Sequence, residues 1–141
     1  MERAVTAEMD LPVRLVRRYA ESVPVRMKLR YTAHDPYALH ATFHVEEFSG
    51  TVEWAFSRDL LAEGLTRRAG EGDVRVWPAA VGPGRDVLYI ALGSPVGSAL
   101  VEASLPDLET FLRRTHSVVP PGAESQQFDM DAELAHLLAG S

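Results

Sequence analysis

The chain has 141 residues, enough for one packed domain, and its 46% hydrophobic and 24% charged content is that of a globular protein. Fourteen Lys+Arg against twenty Asp+Glu leave a net charge of -6, which disfavours a general nucleic-acid binder, and the absence of cysteine excludes disulfides, thiolate nucleophiles, iron–sulfur clusters and Cys-ligated zinc. No apolar run approaches the roughly 18 residues of a membrane span, and Glu2, Glu8 and Asp10 interrupt the start of the chain where a signal peptide would be apolar. A soluble cytoplasmic protein is the expectation.

Strand signals come first. Over 11–19, Leu11, Val13 and Leu15 lie on one side and Arg14 and Arg18 on the other. Over 25–31 the alternation is cleaner, with Val25, Met27, Leu29 and Tyr31 against Arg26, Lys28 and Arg30. A sustained period of two marks a half-buried strand, and Ser22 and Pro24 at the join predict an antiparallel hairpin. After a His34-Asp35-Pro36 turn, 39–46 sets Leu39, Ala41, Phe43 and Val45 toward the core and His40, Thr42, His44 and Glu46 toward solvent. A turn at 47–50 leads into 51–57, where Val52, Trp54 and Phe56 share a face, completing a four-strand meander.

Ser57 caps a short helix over 58–63, with Asp59 in its first turn and Gly64 as its C′ stop. A strand at 73–77 is ended by Pro78, and Gly82-Pro83-Gly84 is a turn. Residues 87–92 are apolar on both faces, as in a covered central strand, and a last strand lies near 98–103. Ser104 and Asp107 form a capping box opening a helix that buries Leu105, Leu108, Phe111 and Leu112. Pro120-Pro121-Gly122 and the residues to Gln127 read as a linker. Asp129 then caps a second helix with Met130, Leu134, Leu137 and Leu138 as its stripe. The expected class is α+β, a mostly antiparallel sheet of about seven strands followed by C-terminal helices.

His40 and His44 have the spacing of a helical metal pair, but four residues of strand hold them roughly 13 Å apart, too far to share one zinc. His34, His116 and His136 sit on a turn and near helix ends, where a protonated imidazole can meet orphan carbonyls. Gly70-Glu71-Gly72 and Gly82-Pro83-Gly84 lack the Gly-Lys-Ser/Thr of a phosphate loop, and Gly97-Ser98 lacks the second glycine of a nucleophile elbow. The residues thus nominate no catalytic, cofactor-binding or metal-binding group.

Positive charge gathers at Arg14, Arg17, Arg18, Arg26, Lys28 and Arg30, of which Arg14, Arg18, Arg26, Lys28 and Arg30 fall on one face of the first hairpin. Such a face could track single-stranded nucleic acid, or be neutralised by Glu46 and Glu53 on the next two strands. In the loop His34–Tyr37, an Asx-turn at Asp35 and the fixed φ of Pro36 hold Tyr37 in one place, as a lid on the core or as a partner-facing aromatic. The two-sided run Val87–Leu92, Trp77 beside it and the edges of an open sheet favour a homo-oligomer.

Five stretches carry a resemblance: Leu29–His44, Val52–Leu65, Gly70–Pro78, Phe111–Ser125 and Phe128–Leu138. Together they resemble the SsgA-like family of actinomycete sporulation-specific cell-division proteins, most closely its SsgB type. The DPYAL core at Asp35–Leu39 and the VEWAFSRDLL run are the specific parts. Residues 1–20 and 79–86 match less well, so Arg14–Arg18 is not explained by the family pattern. The resemblance implies a single SsgA-like domain over 1–141 with a whirly-like architecture, similar to single-stranded-DNA-binding proteins, assembled as a trimer. It implies a protein that is not an enzyme, has no cofactor or metal, and recruits FtsZ to septum sites to promote Z-ring assembly. An SsgA-type protein is the implied second partner. The implied place is the cytoplasmic side of the division septum, with membrane contact only indirect. Since FtsZ is expected to be acidic too, the contact is expected to be apolar or locally basic, with Arg14, Arg18, Arg26, Lys28, Arg30 and Tyr37 as candidates. A single-stranded nucleic-acid-binding module is the alternative.

Overall fold

The computed structural model describes residues 5–17, 19–45, 50–95 and 97–139. In chain order these form β1 (Thr6–Val16), β2 (Val23–Thr32), β3 (Ala38–Val45), β4 (Gly50–Ser57), α1 (Arg58–Gly64), β5 (Val74–Gly82), β6 (Arg85–Ser94), β7 (Gly97–Ser104), α2 (Leu105–Val118) and α3 (Glu124–Ala139). The strands make one antiparallel sheet in the order β4-β3-β2-β1-β7-β6-β5. Two meanders, β1–β4 and β5–β7, are thus sewn together by β7 against β1, with Leu15 opposite Val101. Because β4 and β5 are opposite edges, α1 and the loop after it carry the chain across one face of the curled sheet. That face is the core. Leu29, Tyr31, Leu39, Val76, Leu88 and Phe111 have 0% exposure there, and each large apolar side chain so buried contributes about 1.5–3 kcal/mol. Leu61 of α1 and Leu108, Phe111, Leu112 and Val118 of α2 close the layer.

Several boundaries differ from expectation for identifiable reasons. β1 starts at Thr6 rather than Leu11 and stops at Val16, because Ala7 and Met9 continue the inward series through Glu8 and Asp10. Pro12 is tolerated because β1 pairs with β7 only over Arg14–Val16, leaving that side of Pro12 open. β5 likewise runs through Pro78 to Gly82, since it is an edge strand. β6 lies next to that edge rather than at the centre. On β4 the apolar face is graded: Phe56 is buried, Trp54 half-buried and Val52 49% exposed, because the helices reach only the Phe56 end.

Ser57 caps α1 as expected, its Oγ accepting from Leu60 N at 2.9 Å. Ser104 caps α2, accepting from Asp107 N at 3.4 Å, although Leu105 is only partly buried and Thr115 and Val118 extend the buried stripe instead. Gly64 is not a left-handed stop. It belongs to α1, and a Cβ there would lie 2.1 Å from Val76 Cγ2, so its role is close approach of helix to sheet. α3 begins at Glu124, not near Asp129, because Gly122 at φ +85° and a bond from Ala123 N to Pro120 O at 3.0 Å compress the linker into a turn. Its Leu134, Leu137 and Leu138 are exposed by 57%, 73% and 78%, not buried as a stripe. Arg18, the residues 46–49 and the side chains of Val45, Asp129 and Met130 lie outside what is described.

Gly64→Ala should therefore be destabilised by about 1–3 kcal/mol through overpacking, seen as a Tm several degrees lower. Gly50→Ala, where a Cβ meets nothing within 4 Å, should be neutral or slightly stabilising.

Candidate interaction site

The outer face of β1–β2 gathers the predicted basic residues. The register sets Arg30 opposite Glu8, Lys28 opposite Asp10, Arg26 opposite Pro12 and Pro24 opposite Arg14, so Arg14, Arg26, Lys28 and Arg30 share one face. Among the described residues the neutralising acid is Glu8, 3.5 Å from Lys28 and 3.6 Å from Arg30, rather than the expected Glu53; Glu46, the other expected acid, lies outside the described residues. Glu8 escapes the alternation signal because β1 extends further toward the N-terminus than its clean alternation. Glu53 sits opposite Thr42, on the rim of a cleft of about 670 Å³ that Lys28, Arg30, His34, Asp35 and His40 also line. Arg14 donates to Ser22 Oγ at 3.1 Å. His44 is exposed opposite Arg26, and His40 meets Asp35 at 3.0 Å. Among the described residues no three His, Asp or Glu side chains converge as metal ligands.

The loop carrying Tyr37 is held from several directions. Asp35 N donates to Thr32 O at 3.1 Å, Ala38 N to Asp35 O at 3.3 Å, and Arg58 N to Tyr37 O at 2.8 Å. Pro36 is fully buried and its carbonyl accepts from Tyr31 Oη at 2.9 Å. Pro36 is the lid on the core; Tyr37 is displayed, with 45% of its surface exposed.

Behind this loop lies Arg58, which the sequence reading did not single out. A cation at the first residue of α1 opposes the helix dipole, and that misfit was the available signal. Its side chain runs inward, 2% exposed, with the guanidinium 4.8 Å above the Tyr31 ring. Nη1 donates to Thr115 O at 3.2 Å and Val119 O at 2.6 Å, two carbonyls at the end of α2. Nη2 donates to Glu124 Oε1 at 2.5 Å, in the first turn of α3. Cation at a helix C-terminus and carboxylate at a helix N-terminus are both the favourable sense of the dipole.

Burial works to raise the Glu124 carboxyl, but the Arg58 hydrogen bond and charge and backbone N–H groups outweigh it and hold the pKa below the ordinary value. Burial, helped by the charges of Glu124 and Asp35, lifts the Tyr31 hydroxyl to about 12 despite the opposing pull of Arg58. His116 is pushed below 6.5 by burial and by Arg58, against the opposite pull of Glu124.

Arg58→Met should cost about 3–5 kcal/mol, because it strands a buried carboxylate, and Arg58→Met/Glu124→Leu should recover part of the loss; chemical denaturation measures both. His116 and Glu124 each titrate lower when folded, so the unfolded chain takes up protons first as pH falls. Stability should be complete near neutral pH, erode below about 6.5 as unfolded His116 charges, and erode again below about 4.5 as Glu124 protonates. Thermal unfolding across that range should lose its upper step in His116→Gln and keep the lower one.

Comparison with known proteins places this architecture. The family profile described as Streptomyces sporulation and cell division protein, SsgA, matches residues 25–124, a span that contains every partner of the Arg58 cluster but not β1. The chain is 55% identical over 138 residues to the sporulation-specific cell division protein SsgB of Streptomyces coelicolor, covering 96% of this chain and 98% of that one. It is 48% identical over 139 residues to that of Salinispora tropica, covering 98% and 96%. A solved SsgA-like sporulation-specific cell division protein from Thermobifida fusca superposes with a TM-score of 0.87 at 40% identity, over 96% of this chain and 98% of that one. A solved structure concerning SsgB mutations and longitudinal cell division in Streptomyces coelicolor gives 0.82 at 51% identity, over 90% and 98%. The chain belongs to the SsgA-like family of sporulation and cell-division proteins.

Proposed function

We propose that this chain is a non-enzymatic adaptor of sporulation septation, a single SsgA-like domain that brings FtsZ to septum sites and promotes Z-ring assembly alongside an SsgA-type protein. The observation that carries the reading is the near full-length identity to proteins named sporulation-specific cell division protein SsgB. No described helix is long and apolar enough to cross a membrane, which suits a protein that reaches the septal membrane through its partners. The FtsZ contact is assigned to the face of Arg14, Arg26, Lys28 and Arg30, together with the displayed Tyr37; Arg18 is kept as a candidate from the sequence alone. The Glu8 pairs on that face are half-exposed, and such pairs are worth about 0–1 kcal/mol, so an incoming carboxylate can replace them.

The working form is a homo-oligomer, a trimer. Exposure of Leu134, Leu137 and Leu138 on α3 supports this, since such a stripe is normally covered by another chain. Several weak sites on one rigid assembly raise the effective concentration and can bridge protofilaments, offsetting the long-range repulsion between two acidic proteins. The alternative, a whirly-like module for single-stranded nucleic acid, draws on the same basic face; the net charge of -6 opposes it.

Wild-type protein should co-pellet with FtsZ filaments, and Arg26→Glu/Lys28→Glu/Arg30→Glu should not while remaining folded. Failure of the wild type to pellet with FtsZ or alter its assembly at any salt would end the adaptor reading, and retention by the variant would move the site elsewhere. In sedimentation equilibrium, Leu134→Ser/Leu137→Ser/Leu138→Ser should shift the assembly toward monomer. A wild type that is monomeric at about tens of micromolar, the range of modest associations, would remove the oligomer.

A further inference from the structure

The face of β5, β6 and β7 turned away from the helices has no assigned role. The strand registers align two rows across it: Arg75, Ala91, Leu100 and Val16, and beside them Trp77, Tyr89, Glu102 and Arg14. Trp77 and Tyr89 stack with centroids 5.8 Å apart and planes tilted by 35°, and Arg68 lies 5.5 Å above the Trp77 ring. Arg68, Arg75, Arg85 and Arg14 are exposed, whereas Trp77, Tyr89, Ala91 and Leu100 are half-buried with no described helix over them. The single carboxylate in these rows, Glu102, is engaged by Tyr89 Oη at 3.4 Å and Arg85 Nη2 at 3.7 Å. In a chain of net charge -6 this is a locally positive, aromatic shelf, of the composition that supplies binding hot spots.

We propose that this shelf is a docking surface for an acidic segment of a partner protein, adjoining the β1–β2 face assigned to FtsZ at Arg14 and otherwise distinct from it. Four guanidiniums border an apolar-aromatic floor, so the complementary occupant places an apolar side chain on Trp77, Tyr89 and Leu100 and carboxylates at Arg68 and Arg75. Strand addition at β5 is blocked, because Ala69 already exchanges both backbone bonds with Val76 at 2.9 Å and Pro78 has no N–H to offer. The segment therefore lies across the face rather than along the edge. A nucleic-acid strand fits less well, since the two rings cover each other and Arg68 covers Trp77, leaving bases little open ring to stack on.

The test pans a random displayed-peptide library over the intact protein and measures the enriched peptides, synthesised with a fluorescent label, by anisotropy. Enriched sequences should carry several carboxylates beside an apolar residue. Their affinity should fall at least about tenfold, a loss of ~1.4 kcal/mol, for Arg68→Glu/Arg75→Glu, and also for Trp77→Ala. It should be unchanged for Arg26→Glu/Arg30→Glu and should weaken with salt. The exposed arginine variant keeps the test valid if Trp77→Ala fails to fold. Neutral or basic winners, no winners, equal binding to Arg68→Glu/Arg75→Glu, or displacement of the peptide by oligo-dT would overturn the proposal. So would cross-linking that seats a second copy of this chain on Trp77.

Discussion

The buried guanidinium of Arg58 is the constraint around which the rest is arranged. Taking it out of water costs several kcal/mol, recovered only if its donors and its charge are all met. The chain meets them with four groups from two stretches distant from Arg58 in sequence: the ring of Tyr31, and the carbonyls of Thr115 and Val119 with the carboxylate of Glu124. Each partner is thereby fixed in position. The end of α2 cannot fray without exposing two acceptors, α3 must begin at Glu124, and the loop bearing Tyr37 is clamped between the Arg58 backbone and the Tyr31 hydroxyl. An ion pair of this kind is an uncertain source of net stability, but it specifies one arrangement of loop and helices over the alternatives.

The sheet itself was legible because alternation is a strong signal. The inward series of β2 and β3, the cap at Ser57 and the turn at Gly82–Gly84 all follow from local pattern. What local pattern could not show is which strand stands at an edge. Pro78 reads as a terminator unless β5 is known to have an open side, and Pro12 hides the first half of β1 in the same way. Gly64 has the sequence look of a helix stop; only the proximity of Val76, twelve residues on in the chain, reveals packing as the reason. The Arg58 cluster was illegible for a related cause, since its members lie far apart and none is unusual alone. The basic face was readable in its cations but not in its nearest acid: Glu8 meets Lys28 and Arg30, and Glu53 on β4 does not.

The two faces of the sheet divide the labour. One is closed by α1 and α2 and supplies cohesion. The other is left open, with a charged half on β1–β3 whose ion pairs are weak enough to exchange, and an aromatic half on β5–β7 whose arginines outnumber the one acid among them. This arrangement exposes a large, rigid and chemically varied surface from a short chain.

The join between the two meanders also bears on how the molecule comes into being. β1 is made first, yet its pairing over Arg14–Val16 waits for Leu100–Glu102, and the Arg58 donors wait for residues later still. During synthesis the β1–β4 ribbon therefore emerges with one side unpaired and with Leu11, Val13 and Val25 uncovered. Contacts of such long sequence separation slow folding and expose the nascent chain to association with others. The cationic outer row of β2 protects that interval by setting like charges along the ribbon and so keeping the ribbons of incomplete chains apart.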